Sequence, residues 1–198
     1  MMRVAITGGI GSGKSYVCKR LEAHGIKVYD CDDAAKRLMR TSEPLQKALR
    51  QLVGDEVYVG NVLQKQVLAK FLLASEANKQ AVNQVVHPAV ALDFESSDYE
   101  WMESAILFDS GFHRRIHFDY IVCVTAPLEV RISRVMKRDG ISHDKTMEWI
   151  SRQMPQEEVC QMSDFEIVND GIADIDEQIC HLFNKMMIKG VCCSRQKT

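Results

Sequence analysis

Short runs of β-branched and apolar residues recur along the chain, separated by longer stretches whose apolar positions fall three and four apart. RVAIT (3–7), IKVYD (26–30), SAILF (104–108), YIVCVT (120–125) and FEIV (165–168) read as strands. Between them the spacing is helical. Val17, Cys18 and Leu21 share one helical face, and Gly25 supplies a stop. This alternation predicts an α/β fold: a five-stranded parallel sheet flanked by helices. The span 33–98 breaks the rhythm. It contains LQKALRQLV and LQKQVLAKFLLA, both helical in pattern, and no convincing strand. A helical insertion between the second and third strands is expected there, placed to cover an acceptor substrate. A second excursion follows the fourth strand. PLEVRISRVMKRDG predicts a helix with Pro127 near its first turn and Gly140 past its end. Ser142 then caps SHDKTMEWISRQM, which stops before Pro155. A last helix is expected over 175–187, and Asp33 is expected to cap the helix after the second strand.

Composition narrows the class without naming a chemistry. With 198 residues and 46% hydrophobic content, the chain suits one globular unit carrying a small inserted subdomain. A net charge of −2 gives no global basic bias, so neither nucleic acid nor membrane is expected as a partner. A local basic cleft for an anionic substrate remains compatible with that charge. No apolar run reaches membrane-spanning length, and the N-terminus enters a strand at once with no signal-like segment. The seven cysteines are scattered without a C-x-x-C pair. A cytoplasmic location and a monomer or weak homo-oligomer are expected. Cys192 and Cys193 fall in a polar tail, CCSRQKT, where fraying and no site are expected.

The most specific chemistry lies at residues 8–15, GGIGSGKS, which satisfies G-x-x-x-x-G-K-[ST]. Glycines let the backbone turn sharply and bring its N–H groups against phosphate oxygens. Lys14 supplies a point charge to the β- and γ-phosphates, and the Ser15 hydroxyl is a ligand for Mg²⁺. Gly11, Ser12, Gly13, Lys14, Ser15 and Tyr16 are therefore the expected nucleotide cradle. A strand before the loop and a helix after it put the phosphates at a helix N-terminus. The motifs for guanine recognition, D-x-x-G after the third strand and N-K-x-D, are missing. ATP and Mg²⁺ are the expected cofactors of a P-loop NTPase fold.

Other candidates gather at predicted strand ends, where parallel α/β sheets bind ligands. Asp30 and Asp32 end the second strand beside the phosphate loop. Either could take the proton of an acceptor hydroxyl, or the acidic run could simply be a solvated turn. Asp109 closes AILF, a general form for a metal-orienting acid, although many strands end in Asp. Arg131, Arg134 and Arg138 share one helix face. That row is either a solvated face or a lid whose arginines stabilise a migrating phosphoryl group. His87 precedes Pro88 in a helical pattern, which by itself reads as a kink with a satisfied imidazole. Asn169, Asp170 and Gly171 form either an ordinary turn or a loop beneath an adenine.

With these residues laid out, the chain resembles the bacterial dephospho-coenzyme A kinases over nearly its whole length. TGGIGSGKS is typical of that family. VYDCD is similar to its V-x-D-A-D, VVHPAV to its L-x-H-P, AILFD to its P-L-L-F-E and RVMKRDG to its R-x-x-x-R-D. The resemblance implies transfer of a phosphoryl group from ATP to the ribose 3′-hydroxyl of dephospho-CoA, the last step of coenzyme A synthesis. It implies Asp32 as base, Lys14 and Arg134 as phosphoryl-stabilising cations, and Arg138 as the second lid arginine. His87 and Lys36 would belong to the acceptor side together with Asp32. The implied organisation is a nucleotide-binding core (1–32, 99–130 and 156–198), a helical CoA domain (33–98) and a lid (131–155). The chain departs from the family pattern at Lys36, usually Arg, where an ammonium replaces a planar fork. It also has Asp109 for Glu and Ala105 for Pro. The alternative is another P-loop small-molecule or nucleoside monophosphate kinase.

Overall fold

A computed structural model describes residues 2–186. The chain divides into two compact units: one holds the residues up to Tyr29, Tyr99–Asp109 and those from His117 onward, and the other holds Asp30–Asp98 and Ser110–Ile116. Residues 131–155 fall within the first of these. Cys192 and Cys193 lie outside the described residues.

The first unit is built on a five-stranded parallel sheet formed by β1 (Val4–Thr7), β2 (Val28–Asp30), β5 (Trp101–Glu103), β6 (Tyr120–Thr125) and β7 (Phe165–Val168), in the order β2-β5-β1-β6-β7. Strand β1 is therefore central, with β5 on one side and β6 on the other. Val4 and Ile6 are wholly buried, as a central parallel strand covered on both faces requires. Helices α1 (Lys14–Ala23) and α10 (Ile175–Lys185) cover the sheet with Val17, Leu21, Ile179, Leu182 and Phe183, which join Val4, Ile6, Trp101, Val122, Val124 and Ile167 in one cluster. Trp101 meets Phe183 edge to face, with ring centroids 6.1 Å apart. At the cluster's edge the Arg20 guanidinium forks onto the Asp176 carboxylate and holds it below the usual carboxylate range.

Three further helices belong to this unit. Helix α7 (Leu128–Asp139) ends at Gly140, whose φ of +65° makes a left-handed cap. Helix α8 (His143–Ser151) is capped by Ser142, as the sequence predicts. Helix α9 (Gln156–Gln161) starts after Pro155, and the Gln156 side chain accepts from Ala126 N at 3.2 Å, tying the helix to the end of β6.

The second unit is largely helical: α2 (Cys31–Thr41), α3 (Glu43–Val53), α4 (Lys65–Ala74), α5 (Glu76–Glu95) and α6 (Phe112–Arg115). A hairpin of β3 (Tyr58–Val59) and β4 (Val62–Leu63) interrupts the helices. The sequence reading expected no strand here, since each strand is only two residues long and carries no alternation. What holds the hairpin is Arg50. Its guanidinium donates to the carbonyls of Asp55, Tyr58 and Gly60 and lies 5.1 Å from the centre of the Tyr58 ring. The Tyr58 hydroxyl in turn donates to Met39 O at 2.7 Å. Leu45, Leu49, Val82, Val86, Val90 and Phe94 are buried among the helices.

Two boundaries differ from the sequence expectation in ways that bear on function. The strand expected at 104–108 is instead Trp101–Glu103, and 105–111 form turns. AILF forms a turn in which Leu107 and Phe108 are buried, whereas WME makes the ladder with β1. The helix cap expected of Asp33 belongs to Asp30, whose side chain accepts from Asp33 N at 2.9 Å.

Candidate active site

Strand β1 delivers the chain into GGIGSGKS, and α1 begins at Lys14. Gly13 occupies the N-cap position with φ +90° and ψ 29°, so no side chain caps the helix. A Cβ on Gly13 would stand 2.1 Å from Asn169 Nδ2, so glycine is required both by conformation and by close approach. The N–H groups of Gly11 and Gly13 find no acceptor among the described residues. Ser12 Oγ is fully buried and also lacks a hydrogen-bond partner among them. Unpaired donors at the positive end of a helix form a nest for an anion, and a buried hydroxyl without a partner fits the same use.

The loop is held from outside by buried polar contacts. Lys14 is buried, and its Nζ donates to Gly8 O at 2.8 Å. The same ammonium lies 3.9 Å from a Glu103 carboxylate oxygen. Asn169 donates through Nδ2 to Ser12 O at 2.9 Å, and its own N–H donates to Thr125 O at 2.8 Å. Arg134 donates to Ser12 O at 3.2 Å and Asn169 O at 2.9 Å, with longer contacts to Gly11 O and Asn169 Oδ1. Arg131 is 6% exposed, and its Nε donates to Ile10 O at 2.9 Å. Burial lowers the pKa of this guanidinium, while Glu157 acts in the opposite direction. Gln153 accepts from Ile10 N at 2.7 Å.

Of the sequence-predicted residues, the structure gathers Gly11, Ser12, Gly13, Lys14 and Arg134 in one constellation. Ser15 and Tyr16 are exposed in the first turn of α1. Arg138 is exposed and engaged by its neighbour Asp139 through two hydrogen bonds of 2.9 and 2.7 Å. The three arginines of α7 therefore do not act as one row: Arg131 and Arg134 grip the loop, and Arg138 does not. A solvated face is excluded for Arg131 by its burial.

Asp109 loses the premise on which it was chosen. It does not close a strand, since β5 ends at Glu103. The strand-end carboxylate beside Lys14 is Glu103, because the strand lies three residues earlier than the apolar run suggests. Asp109 lines a small cavity with Thr7, Gly9, Leu107, Gln153 and Met154. Among the described residues no group of three or more His, Cys, Asp and Glu could hold a metal. A hydrated Mg²⁺ needs only one or two protein oxygens besides substrate phosphates.

Within the helical unit the acidic run after β2 is sorted by its contacts. Asp30 is spent as the cap of α2, and Asp33 pairs with Lys36 at 2.9 Å. The side chain of Asp32, exposed in the first turn of α2, makes no hydrogen bond among the described residues. Lys36 is held by Asp33, which raises its pKa, in an exposed pair of the kind worth little on its own. His87 lies on α5, which runs through Pro88. Its ring packs on Phe112 with centroids 5.3 Å apart. Burial lowers its pKa, opposed by a hydrogen bond to the Ser110 backbone. The imidazole is therefore neutral at neutral pH.

Comparison with known proteins shows the family and the fold. A sequence model of the dephospho-CoA kinase family matches residues 2–174. A dephospho-CoA kinase of Bacteroides fragilis is 42% identical over 196 residues, covering 93% of this chain and 95% of that protein. One from Thermus thermophilus is 35% identical over 174 residues, covering 85% and 83%. A crystal structure of a Thermus thermophilus protein superposes with a TM-score of 0.77 at 31% identity, covering 96% and 98% of the two chains. Shikimate kinase from Bacteroides thetaiotaomicron, at 14% identity and a TM-score of 0.57 over 94% and 99%, shares the fold alone. This chain belongs to the dephospho-CoA kinase family, whose members are transferases that phosphorylate an alcohol.

Proposed function

We propose that the chain transfers the γ-phosphoryl group of ATP to the ribose 3′-hydroxyl of dephospho-CoA, giving coenzyme A and ADP. The observation that carries this reading is the uncapped glycine loop, with its unpaired Gly11 and Gly13 N–H groups and the buried Lys14 amine, in a chain of this family. The loop N–H groups and Lys14 bind the β- and γ-phosphates. Lys14 moves its hydrogen bond from Gly8 O to a phosphoryl oxygen, exchanging a neutral acceptor for an anion. Arg134, already on the loop carbonyls, turns toward the charge that develops on the migrating group. Asp32 accepts the hydroxyl proton as the 3′-oxygen attacks in line.

Residues 131–155 act as the lid that excludes water from the reacting phosphate, and the helical unit takes the acceptor through His87 and Lys36. Arg138 leaves Asp139 for a phosphate oxygen when the lid carries it there. The Ser15 hydroxyl and the Glu103 carboxylate would hold Mg²⁺, which would supply charge screening between the phosphates. Glu103 replaces Asp109 as the preferred acidic partner because it stands at the strand end beside Lys14. Among the described residues no helix is long and apolar enough to cross a membrane, and a cytoplasmic monomer or weak homo-oligomer is the working form proposed.

The test is ADP release with Mg·ATP in the presence of dephospho-CoA, AMP, adenosine or shikimate, with the product weighed. Release with dephospho-CoA alone, and a mass gain of about 80 daltons on it, is the expected result. Stimulation by a different acceptor would leave the fold in place and overturn the substrate.

A further inference from the structure

Three side chains stand on three consecutive residues at the start of the phosphate loop. Lys14 Nζ donates to Gly8 O, a Cβ on Gly9 would meet Arg131 Nη2 at 2.4 Å, and the Ile10 peptide is held at both ends. Its carbonyl accepts from Arg131 Nε and its N–H donates to Gln153 Oε1. The Ile10 N–H can only donate, so chemistry fixes the amide orientation: oxygen toward the loop and Nε2 away from it. Those two Nε2 hydrogens have no acceptor among the described residues. Gln153 lines the small cavity together with Thr7, Gly9 and Asp109, at the end of β1 and against the loop.

The residue also has local backbone support in this conformation. It lies just past Arg152, the C-cap of α8, its N–H donates to Ile150 O at 3.2 Å, and the Gln156–Ala126 contact holds the chain just beyond it. An amide with its acceptor end committed to the loop and its donor end unspent, near Arg131, suits a negatively charged oxygen.

We propose that Gln153 is a phosphoryl-contacting residue: Oε1 pins the Ile10 peptide while Nε2 donates to an oxygen of the terminal phosphate of ATP. This assignment rests on the nucleotide half of the function proposed above and not on which acceptor is used. It also separates Gln153 from Lys14, which reaches β- and γ-phosphates alike. Gln153 serves the terminal phosphate alone, so its loss distinguishes a triphosphate from a diphosphate.

The experiment compares wild type with Gln153→Met, which keeps length and loses both polar ends, and Gln153→Glu, which keeps the acceptor for Ile10 and loses the donor. Dissociation constants are measured for ADP and for a non-hydrolysable ATP analogue, both with Mg²⁺, alongside thermal midpoints. Gln153→Met should weaken the analogue about tenfold, a charge-assisted hydrogen bond's worth, and leave ADP within about twofold. Gln153→Glu should weaken the analogue more than Gln153→Met, because a carboxylate then faces the phosphate. Equal weakening of ADP and the analogue would make Gln153 only a support for the loop and overturn the proposal, as would no change in either. Folding of the variants is read from the thermal midpoints, and Gln153→Glu serves if Gln153→Met does not fold. A wrong acceptor assignment would leave these titrations unchanged and show only in the ADP-release assay.

Discussion

The phosphate loop and the helical unit use similar residue types in different ways. Around the loop, charged and amide side chains are committed to backbone atoms: Lys14 to Gly8, Arg131 and Gln153 to Ile10, Arg134 and Asn169 to Ser12. In the helical unit the charged candidates are exposed. The Asp32 side chain makes no hydrogen bond among the described residues, and the Lys36 amine pairs with Asp33. A nest of N–H groups works only if the backbone is already shaped before the anion arrives, because reshaping it would be charged against binding. A carboxylate that must meet a hydroxyl gains from being unengaged, because a standing hydrogen bond would compete with the proton it has to accept. On the function proposed above, the committed half would handle charge and the less committed half the proton.

Lys14→Ala strikes the committed half most directly. Turnover should fall by roughly 10³-fold, with weakened ATP binding, since a buried cation aimed at the phosphates is lost. Steady-state kinetics with dephospho-CoA read this, and wild-type turnover would end the scheme. Asp32→Asn tests the other half. It should cut kcat by roughly 10²-fold while leaving ATP binding nearly intact, because the amide keeps shape but cannot take the proton. A comparable loss of ATP affinity would instead place Asp32 among the phosphate-binding groups.

Smaller effects sharpen the contrast on the side of stability. Arg50→Met removes three carbonyl contacts and the cation over Tyr58, and should destabilise the helical unit by about 1–2 kcal/mol, with ADP affinity unchanged. Denaturant midpoints and an ADP titration on the same sample check both statements. His87 gives the smallest effect and a defined sign. Its folded pKa lies below the ordinary 6.5, so the unfolded chain binds the extra proton first. The stability it contributes is present above about 6.5 and is lost as pH falls from there through the folded value. His87→Gln should flatten that limb in a plot of thermal midpoint against pH, while the slope near Asp176 at lower pH persists.

The sequence by itself determined the features whose signal is local. The glycines and Lys14 of the loop, β6 and β7 to the residue, and the cap at Ser142 follow from spacing, branching and short-range hydrogen bonds. Asp32 was named by resemblance, and the contacts that set it apart from Asp30 and Asp33 came only with the fold. Tertiary structure decided whatever depends on partners far along the chain. AILF carries the apolar content of a strand, yet the ladder with β1 goes to Trp101–Glu103, and this moves the strand-end acid from Asp109 to Glu103. Three arginines at helical spacing look equivalent until burial divides Arg131 from Arg138. Gln153 and Asn169 stand more than 140 residues from the loop atoms they hold, at separations of 143 and 157. A buried amide bonded across that distance leaves no periodicity and no local motif, because the contact exists only once both segments are folded onto the same end of the sheet.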